Sequence, residues 1–236
     1  MVSEPDRRSA RAPPATAIRR RTAPARSGLL AAGAAKVYAA ARDPATVMTP
    51  GVAPVRLDVT KPEHFEALAR DLGDVTLLIN NAGIGEFGPL LSPNAVDALR
   101  RQFETNAVGP LRLTQAFAPV LAGNGGGAVV NVLSVLSWLT LAGQSGAYSA
   151  SKAAAWALSN ALRQELKAQG TQLVAVHAAF IDTDMARGAP GPKIAPEEVV
   201  SQTLVALEAA EAEVLADPIT RQVHGGLSAA QAVYLS

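Results

Sequence analysis

The chain reads as a single α/β domain with a doubly wound parallel sheet. Three observations predict this. Short apolar runs alternate with longer amphipathic stretches along most of the sequence, as repeated βαβ units do. Several of those runs, such as VTLLI and AVVNVL, are apolar throughout, which suits strands buried on both faces. The length of 236 residues, 49% apolar, is enough for one substantial core and gives no sign of a second domain or internal repeat.

Residues 1–27 carry Arg, Ala, Pro and Ser without apolar periodicity, and Pro13, Pro14 and Pro24 oppose regular structure. They are expected to form a disordered basic arm, leaving 28–236 as the folded domain. The segment Ser27–Ala35 reads as the tail of a helix, with Gly33 suited to its C-cap. Lys36–Ala41 (KVYAAA) and Val55–Asp58 (VRLD) are the next strands, joined by a Pro/Gly loop in place of a long helix. A helix over Pro62–Leu72 follows, with Thr60 as candidate N-cap and proline near its start. Val75–Ile79 is a buried strand. Pro93–Phe103 and Leu111–Leu121 are helices, and the turn Gly125-Gly126-Gly127 announces the strand Ala128–Leu133. Ser149–Gln169 is a long helix ending at Gly170, with Lys167 in its last turn where a cation suits the dipole. Gln172–His177 is a strand, Pro196–Ala210 a helix and Glu213–Ala216 a last short strand.

Composition excludes several chemistries. With no cysteine, disulfides, thiolate–zinc sites and thiol catalysis are ruled out. His64, His177 and His224 lie far apart and form no spaced metal motif, so no metal is expected and each histidine takes a structural reading. No apolar run is long enough for a membrane span. Seven arginines (Arg7, Arg8, Arg11, Arg19, Arg20, Arg21, Arg26) oppose only Glu4 and Asp6 in the first 27 residues, so the net charge of +1 hides an acidic remainder. A basic arm can serve nucleic acid or an import receptor. Neither role explains the sequence around it, so no nucleic-acid partner, no membrane and a cytoplasmic setting are expected.

The chemistry is carried by Tyr148-Ser149-Ala150-Ser151-Lys152. On a helix, Tyr148 and Lys152 share one face. An ammonium beside a phenol favours the phenolate and would lower the tyrosine pKa, so that it could exchange a proton with a substrate oxygen near neutral pH. Such a pair alone is usually a surface contact. Here Asn80-Asn81-Ala82-Gly83 follows one buried strand, and Asn131-Val132-Leu133-Ser134 puts a hydroxyl at the end of another. Strand ends in such sheets are where ligands bind. The ordered series Asp58-Val59, NNAG, Asn106, Ser134, YSASK and VHAAFIDTDM resembles the short-chain dehydrogenase/reductase family over about residues 28–230. The resemblance implies a Rossmann-like sheet and an NAD(P)-dependent oxidoreductase interconverting an alcohol and a carbonyl. In that reading Tyr148 is the acid/base, Lys152 tunes it and holds the nicotinamide ribose, Ser134 meets the substrate oxygen and Asn106 holds a relay water. Asn80, Ala82 and Gly83 form the wall beside the adenosine ribose, Asp58 with Val59 meets the adenine, and Thr183 meets the nicotinamide carboxamide. The resemblance also implies a homo-dimer or homo-tetramer, with the small residues Ala153, Ala154, Ala155 and Ala157 of the long helix permitting close packing. Arg42, after KVYAAA, suits a 2′-phosphate and points to NADP, with NAD the alternative because Asp43 follows.

The sequence departs from the family at its start. No apolar strand and no TGxxxGxG loop precede Gly28, although such glycines bring a pyrophosphate to a helix N-terminus. The first strand and the glycine loop are therefore expected to be absent, and nucleotide binding weak or lost. A shifted reading frame over codons 1–27 of a GC-rich gene accounts for this best, and the coding DNA would show it. The alternative function is a catalytically impaired remnant or scaffold that cannot bind nucleotide. Two smaller departures follow. Ser134 and Tyr148 are one position further apart than usual, with Ser137 a substitute hydroxyl, and Ala178-Ala179 replaces a customary Pro-Gly. Trp138 and Trp156 are expected in a substrate-side wall or an interface. The segment after Thr183, DMARGAPGPKIAP, is short and suggests a small or open pocket.

Overall fold

The computed structural model describes residues 15–18 and 23–235. Seven strands form one sheet: β1 (Ala15–Ile18), β2 (Val37–Ala41), β3 (Ala53–Arg56), β4 (Leu77–Asn80), β5 (Gly127–Val132), β6 (Thr171–His177) and β7 (Glu213–Leu215). Every pairing is parallel and the order is β3-β2-β1-β4-β5-β6-β7. The chain winds outward from β1 in one direction, then returns to its other side at β4 and winds the opposite way. That reversal opens a crevice at the carboxyl ends of the strands.

Helices cover both faces. On one side α1 (Ala23–Ala31) packs with α6 (Pro196–Glu208), burying Leu29, Val199 and Ala206 with Val37, Leu77, Val130 and Val174 of the sheet. On the other, α2 (Glu63–Asp71), α4 (Gly109–Gly123) and α5 (Gly146–Lys167) bury Phe65, Leu113, Phe117, Leu162 and Leu166 against Leu78, Val129 and Leu173. Alternate residues of a strand thus serve opposite layers, as the pleat requires. α3 (Ala95–Phe103) lies against α5, and α7 (Pro218–Gly225) closes the end beside β7.

The expected loss of the first strand is corrected by the structure. Ala15–Ile18 pairs with Val37–Ala40 on one side and Leu77–Ile79 on the other, so the disordered arm does not extend through residue 27. Without a strand there, β2 and β4 would each present an unpaired edge in the middle of the sheet, which is unfavourable enough for a four-residue segment to fill the gap. The expected glycine loop position, between β1 and α1, lies outside the described residues. α1 ends as the sequence suggests: Gly33 has φ 88° and the amides of Gly33 and Ala34 donate to Leu30 O and Leu29 O.

Other boundaries moved slightly. Thr60 does not cap α2; its amide and hydroxyl both donate to the Asp58 carboxylate. The two helices expected around Asn106 are joined by a π-helical turn, Glu104–Val108, so the chain stays helical from Ala95 to Gly123. α5 starts three residues before Ser149, at Gly146.

The turn into β5 is demanding. Gly125, Gly126 and Gly127 have φ of 86°, 99° and 152°, and a Cβ on Gly127 would sit 2.2 Å from Thr76 O. Gly127→Ala is expected to destabilise the protein by about 3 kcal/mol or more. Gly73→Ala, where nothing lies within 4 Å, should change stability by less than about 0.5 kcal/mol. Urea denaturation of both variants checks the contrast.

Candidate active site

A cavity of about 1410 Å³ opens at the carboxyl ends of the strands. Its lining runs from Arg42 and Asp58, after β2 and β3, to Ser134 and Ala178, after β5 and β6. Five strand steps separate β3 from β6, a span of roughly 24 Å at about 4.8 Å per step. An extended dinucleotide fits that span.

Ser134, Tyr148 and Lys152 all line the cavity, and each is at least nine-tenths buried. Ser134 leaves β5 in an extended conformation and its hydroxyl accepts from Leu136 N at 3.1 Å. Tyr148 stands in the first turn of α5, facing the same cavity as Ser134. The extra residue before Tyr148 is taken up by the loop ahead of α5, where Gly143 has φ 67°. Ser134 therefore keeps its place. Ser137 is buried elsewhere and does not reach the cavity.

Lys152 donates to Val132 O at 2.9 Å. Its Nζ lies 5.8 Å from the centre of the Tyr148 ring. Burial pushes the lysine down to about 8 and the tyrosine up to about 12, the nearby Ser134 hydroxyl pulling the tyrosine back only in part. This is opposite to the expected lowering of the tyrosine by the lysine: desolvation favours the neutral form of both groups. The site holds Tyr148 as a neutral phenol at physiological pH.

Two of the expected site residues do not line the cavity. Asn80 does not line the cavity: its amide donates to Thr114 Oγ1 at 3.2 Å and Asn131 Oδ1 at 2.8 Å. It follows Leu78 on the helix-facing side of β4, and Asn81, one residue on, lines the cavity with Ala82 and Gly83. Asn106 stands in the π-helical turn, accepting from Ile84 N and donating to Ile84 O and Ser151 Oγ, and it too is absent from the cavity wall. A Cβ on Gly83 would lie 3.4 Å from Asn106 Oδ1 and 3.7 Å from Lys152 Nζ, so Asn106 backs the loop that Lys152 faces. π-turns of this kind recur at functional sites.

At the other end Arg42, Asp43, Asp58 and Val59 share the wall. Burial alone would raise the Asp58 carboxyl, but hydrogen bonds from Thr60, with Arg42 and His64 nearby, hold it below the usual carboxylate range. Asp43 accepts from Ala45 N at 3.1 Å and so caps a short 3-10 turn. Thr183 lines the cavity and its hydroxyl donates to Ile181 O at 3.3 Å.

Sequence reasoning missed the apolar mouth. Phe87 lies 5.4 Å ring to ring from Tyr148, and Phe87 and Met185 both close over Gly85. Leu141 joins them in the lining, and all three are exposed. The loop carrying Phe87 is tied down by Gly88 N donating to Gln144 O at 2.7 Å and by Gln102 gripping Glu86 from both sides. Large apolar residues flanked by Gly85 and Gly88 were the available signal. Trp138 and Trp156 form no part of the substrate wall; they pack together behind Ser134 with His177. Among the described residues no group of three or more potential metal ligands occurs and no helix is long and apolar enough to cross a membrane.

The residues present suit both ends of a dinucleotide. Lys152 carries three donors, of which Val132 O takes one, and Arg42 supplies a cation at the adenosine end. At the start of α1, Pro24 removes one of the backbone donors a pyrophosphate would use.

A family model described as short chain dehydrogenase matches residues 15–191. The "Short-chain dehydrogenase ptmH" of Penicillium ochrochloron is 40% identical over 139 residues, 55% of this chain and 48% of that protein. The 1-deoxy-11-beta-hydroxypentalenate dehydrogenase of Streptomyces exfoliatus is 33% identical over 148 residues, 60% of this chain and 54% of that protein. The chain spans about half the length of the curated relatives it matches. A crystal structure of a short chain dehydrogenase from Burkholderia cenocepacia J2315 in complex with NADP superimposes with TM-score 0.86 at 36% identity, covering 94% of this chain and 95% of that one. A short-chain dehydrogenase from Streptomyces avermitilis gives TM-score 0.75 at 25% identity, over 91% and 92%.

The lysine shift gives a test. Lys152 is charged below about 8 and neutral above it. If its ammonium is required, kcat/KM falls as pH rises through that value. Lys152→Arg keeps a cation at all accessible pH, so its pH profile should lack that limb. An unchanged limb would assign it to another group.

Proposed function

The chain belongs to the short-chain dehydrogenase family, and from that premise we propose that it is an NADP-dependent oxidoreductase interconverting an alcohol and a carbonyl. One observation carries this: a single cavity brings Ser134, Tyr148 and Lys152 to one end and Arg42 to the other. The relative from Burkholderia cenocepacia, crystallised with NADP, supports the choice of nucleotide. So does Asp43, whose carboxylate already accepts from Ala45 N.

When bound, the nicotinamide supplies or accepts the hydride. The protein's residues do the rest. Ser134 and the Tyr148 hydroxyl meet the substrate oxygen. In the direction of reduction, the neutral phenol donates its proton to that oxygen as negative charge develops there. Lys152, fixed on Val132 O, presents its remaining donors to the ribose and places a cation near the phenolate left behind. Arg42 holds the 2′-phosphate, and Asp58 with Val59 and Ala82 flank the adenosine. Phe87, Met185 and Leu141 exclude water and select a substrate with an apolar body beside its carbonyl. At the rim, Arg101 is bound to Glu86 by two hydrogen bonds of 2.9 and 2.6 Å and Arg100 to Asp97 at 3.3 Å, so both cations are already partnered.

A second reading rests on the start of the chain. The sequence between β1 and α1 has no glycine, and Pro24 lacks an amide hydrogen. A pyrophosphate there finds fewer backbone donors than the family supplies, which supports an impaired remnant. Titration with NADPH separates the two readings. Micromolar affinity upholds the enzyme; no saturable binding upholds the remnant.

Two variants extend the test. Tyr148→Phe is expected to lower kcat by roughly a hundredfold or more while NADPH binding persists. Wild-type turnover in this variant would remove the mechanism. Arg42→Ala should weaken NADPH by roughly tenfold and leave NADH little changed, since only the 2′-phosphate loses a charged partner. Equal effects on both nucleotides would place the phosphate elsewhere.

A further inference from the structure

Behind Ser134 lies a cluster, buried at Trp138 and His177, that the reaction described above does not use. None of Trp138, Trp156, His177, Glu213 and His224 lines the cavity. His177 is the last residue of β6 and is 0% exposed. Its Nδ1 is 3.2 Å from the carbonyl oxygen of Ser134. A carbonyl oxygen can only accept, so Nδ1 carries the hydrogen. The opposite nitrogen, Nε2, is 3.6 Å from Glu213 Oε1. Trp138 stacks on the imidazole at 4.0 Å with the rings 18° from parallel. Trp156 Nε1 donates to the same Glu213 oxygen at 3.1 Å and so fixes the carboxylate.

We propose that His177 is a positioning residue for Ser134. The Ser134 peptide is held on both sides by the sheet, Leu133 N donating to Val176 O at 2.8 Å and Val135 N to Ala178 O at 2.9 Å. Val135 N shares one planar peptide with the Ser134 carbonyl, so the tilt of that carbonyl is fixed from both ends: by Val135 N on Ala178 O, and by Ser137 N at 3.0 Å and His177, both of which donate to the carbonyl oxygen. The carbonyl and the side chain leave neighbouring backbone atoms, so fixing one aims the other at Tyr148 and the substrate oxygen. A shift of about 1 Å in such an aim can cost up to a hundredfold in rate.

The surroundings suit this role. The charged and titratable groups facing the cluster are Glu213 from β7, His224 from α7, whose Nε2 is 3.9 Å from Glu213 Oε2, and Arg163 from α5, which is bonded to Leu173 O and Ala212 O. Nε2 lies beyond hydrogen-bond length of Glu213 and has no hydrogen-bond partner. The nearby imidazole, the Trp156 hydrogen bond and Arg163 together hold the Glu213 carboxyl below the usual carboxylate range. Turning the His177 ring over would lose its contact with Ser134 O.

The proposal has one test that needs no activity and one that rests on the reading given under Proposed function. With three histidines in the chain, a long-range proton–nitrogen correlation spectrum of the full protein labelled with nitrogen-15 is simple, and the signals lost in His177→Asn are those of His177. The expected spectrum has Nδ1 protonated at neutral pH; an unprotonated Nδ1 overturns the proposal. The second arm compares two variants. His177→Asn can place an amide N–H near the position of Nδ1, whereas His177→Gln places one near Nε2. His177→Asn should keep kcat within about threefold of the parent, and His177→Gln should lose roughly tenfold in kcat with the KM for NADPH unchanged. Equal losses in both variants, tracking their melting temperatures, would make the histidine merely structural and overturn the proposal. Tyr148→Phe, measured alongside, keeps the readings apart: undiminished turnover there removes the catalytic reading and leaves the nitrogen spectrum to decide the role of His177. The spectrum decides likewise for a preparation that turns over no carbonyl.

Discussion

The site depends on how α5 is seated against the sheet. A polar seam buried in an otherwise apolar layer fixes it. Asn80 on β4 donates to Asn131 on β5 at 2.8 Å, Asn131 donates to Ser159 on α5 at 2.8 Å, and Ser159 donates to the Ala155 carbonyl. Nearer the helix start, Asn106 bonds Ser151 and Lys152 reaches Val132 O. Each such bond contributes about 1 kcal/mol net, but a slipped helix would orphan several buried polar groups at about 1–3 kcal/mol each. Apolar packing alone tolerates small slides. This seam does not, so the roll and height of α5 are set, and with them the places of Tyr148 and Lys152 relative to Ser134.

The same burial explains the electrostatics. Tyr148 and Lys152 are drawn into a layer where neither charge is well solvated, so the phenol is pushed to about 12 and the ammonium to about 8. An ion pair between them would have to overcome both penalties, and the two groups are not in contact close enough to do so. The arrangement keeps a proton on the tyrosine and a marginal charge on the lysine. It is suited to giving a proton to an oxygen on which charge is growing, because the acceptor becomes a stronger base only as the reaction proceeds.

Much of this was legible in the sequence. The parallel sheet followed from the alternation of apolar runs and amphipathic stretches, and Ser134, Tyr148 and Lys152 were recognisable because each sits at a strand end or helix start where residue type and position agree. The missed points share a cause. Asn80 belongs to a cofactor-facing motif by type, but the pleat puts it on the face of Leu78, toward α4 and α5, and hands the cavity to Asn81. Trp138 and His177 lie far apart in the chain, and only the pairing of β5 with β6 brings them to stack. The direction of the tyrosine shift was misjudged because spacing shows that a lysine is near and says nothing of how dry the place is.

The strand at Ala15–Ile18 was missed for a different reason. Four residues with one large apolar side chain, set among arginines and prolines, carry no periodic signal of their own. Their conformation is imposed by what surrounds them. β2 and β4 each offer a row of backbone donors and acceptors on facing edges, and the space between them takes one strand. A central parallel strand of this kind needs its backbone far more than its side chains. Phosphate binding is in general the opposite case, because it depends on glycines that let amide groups converge and on backbone donors of a kind proline lacks. The sheet can therefore close around a segment that lacks a strand's usual sequence pattern. The residues proposed to handle the substrate, on β5 and α5, are held by contacts that do not pass through this segment.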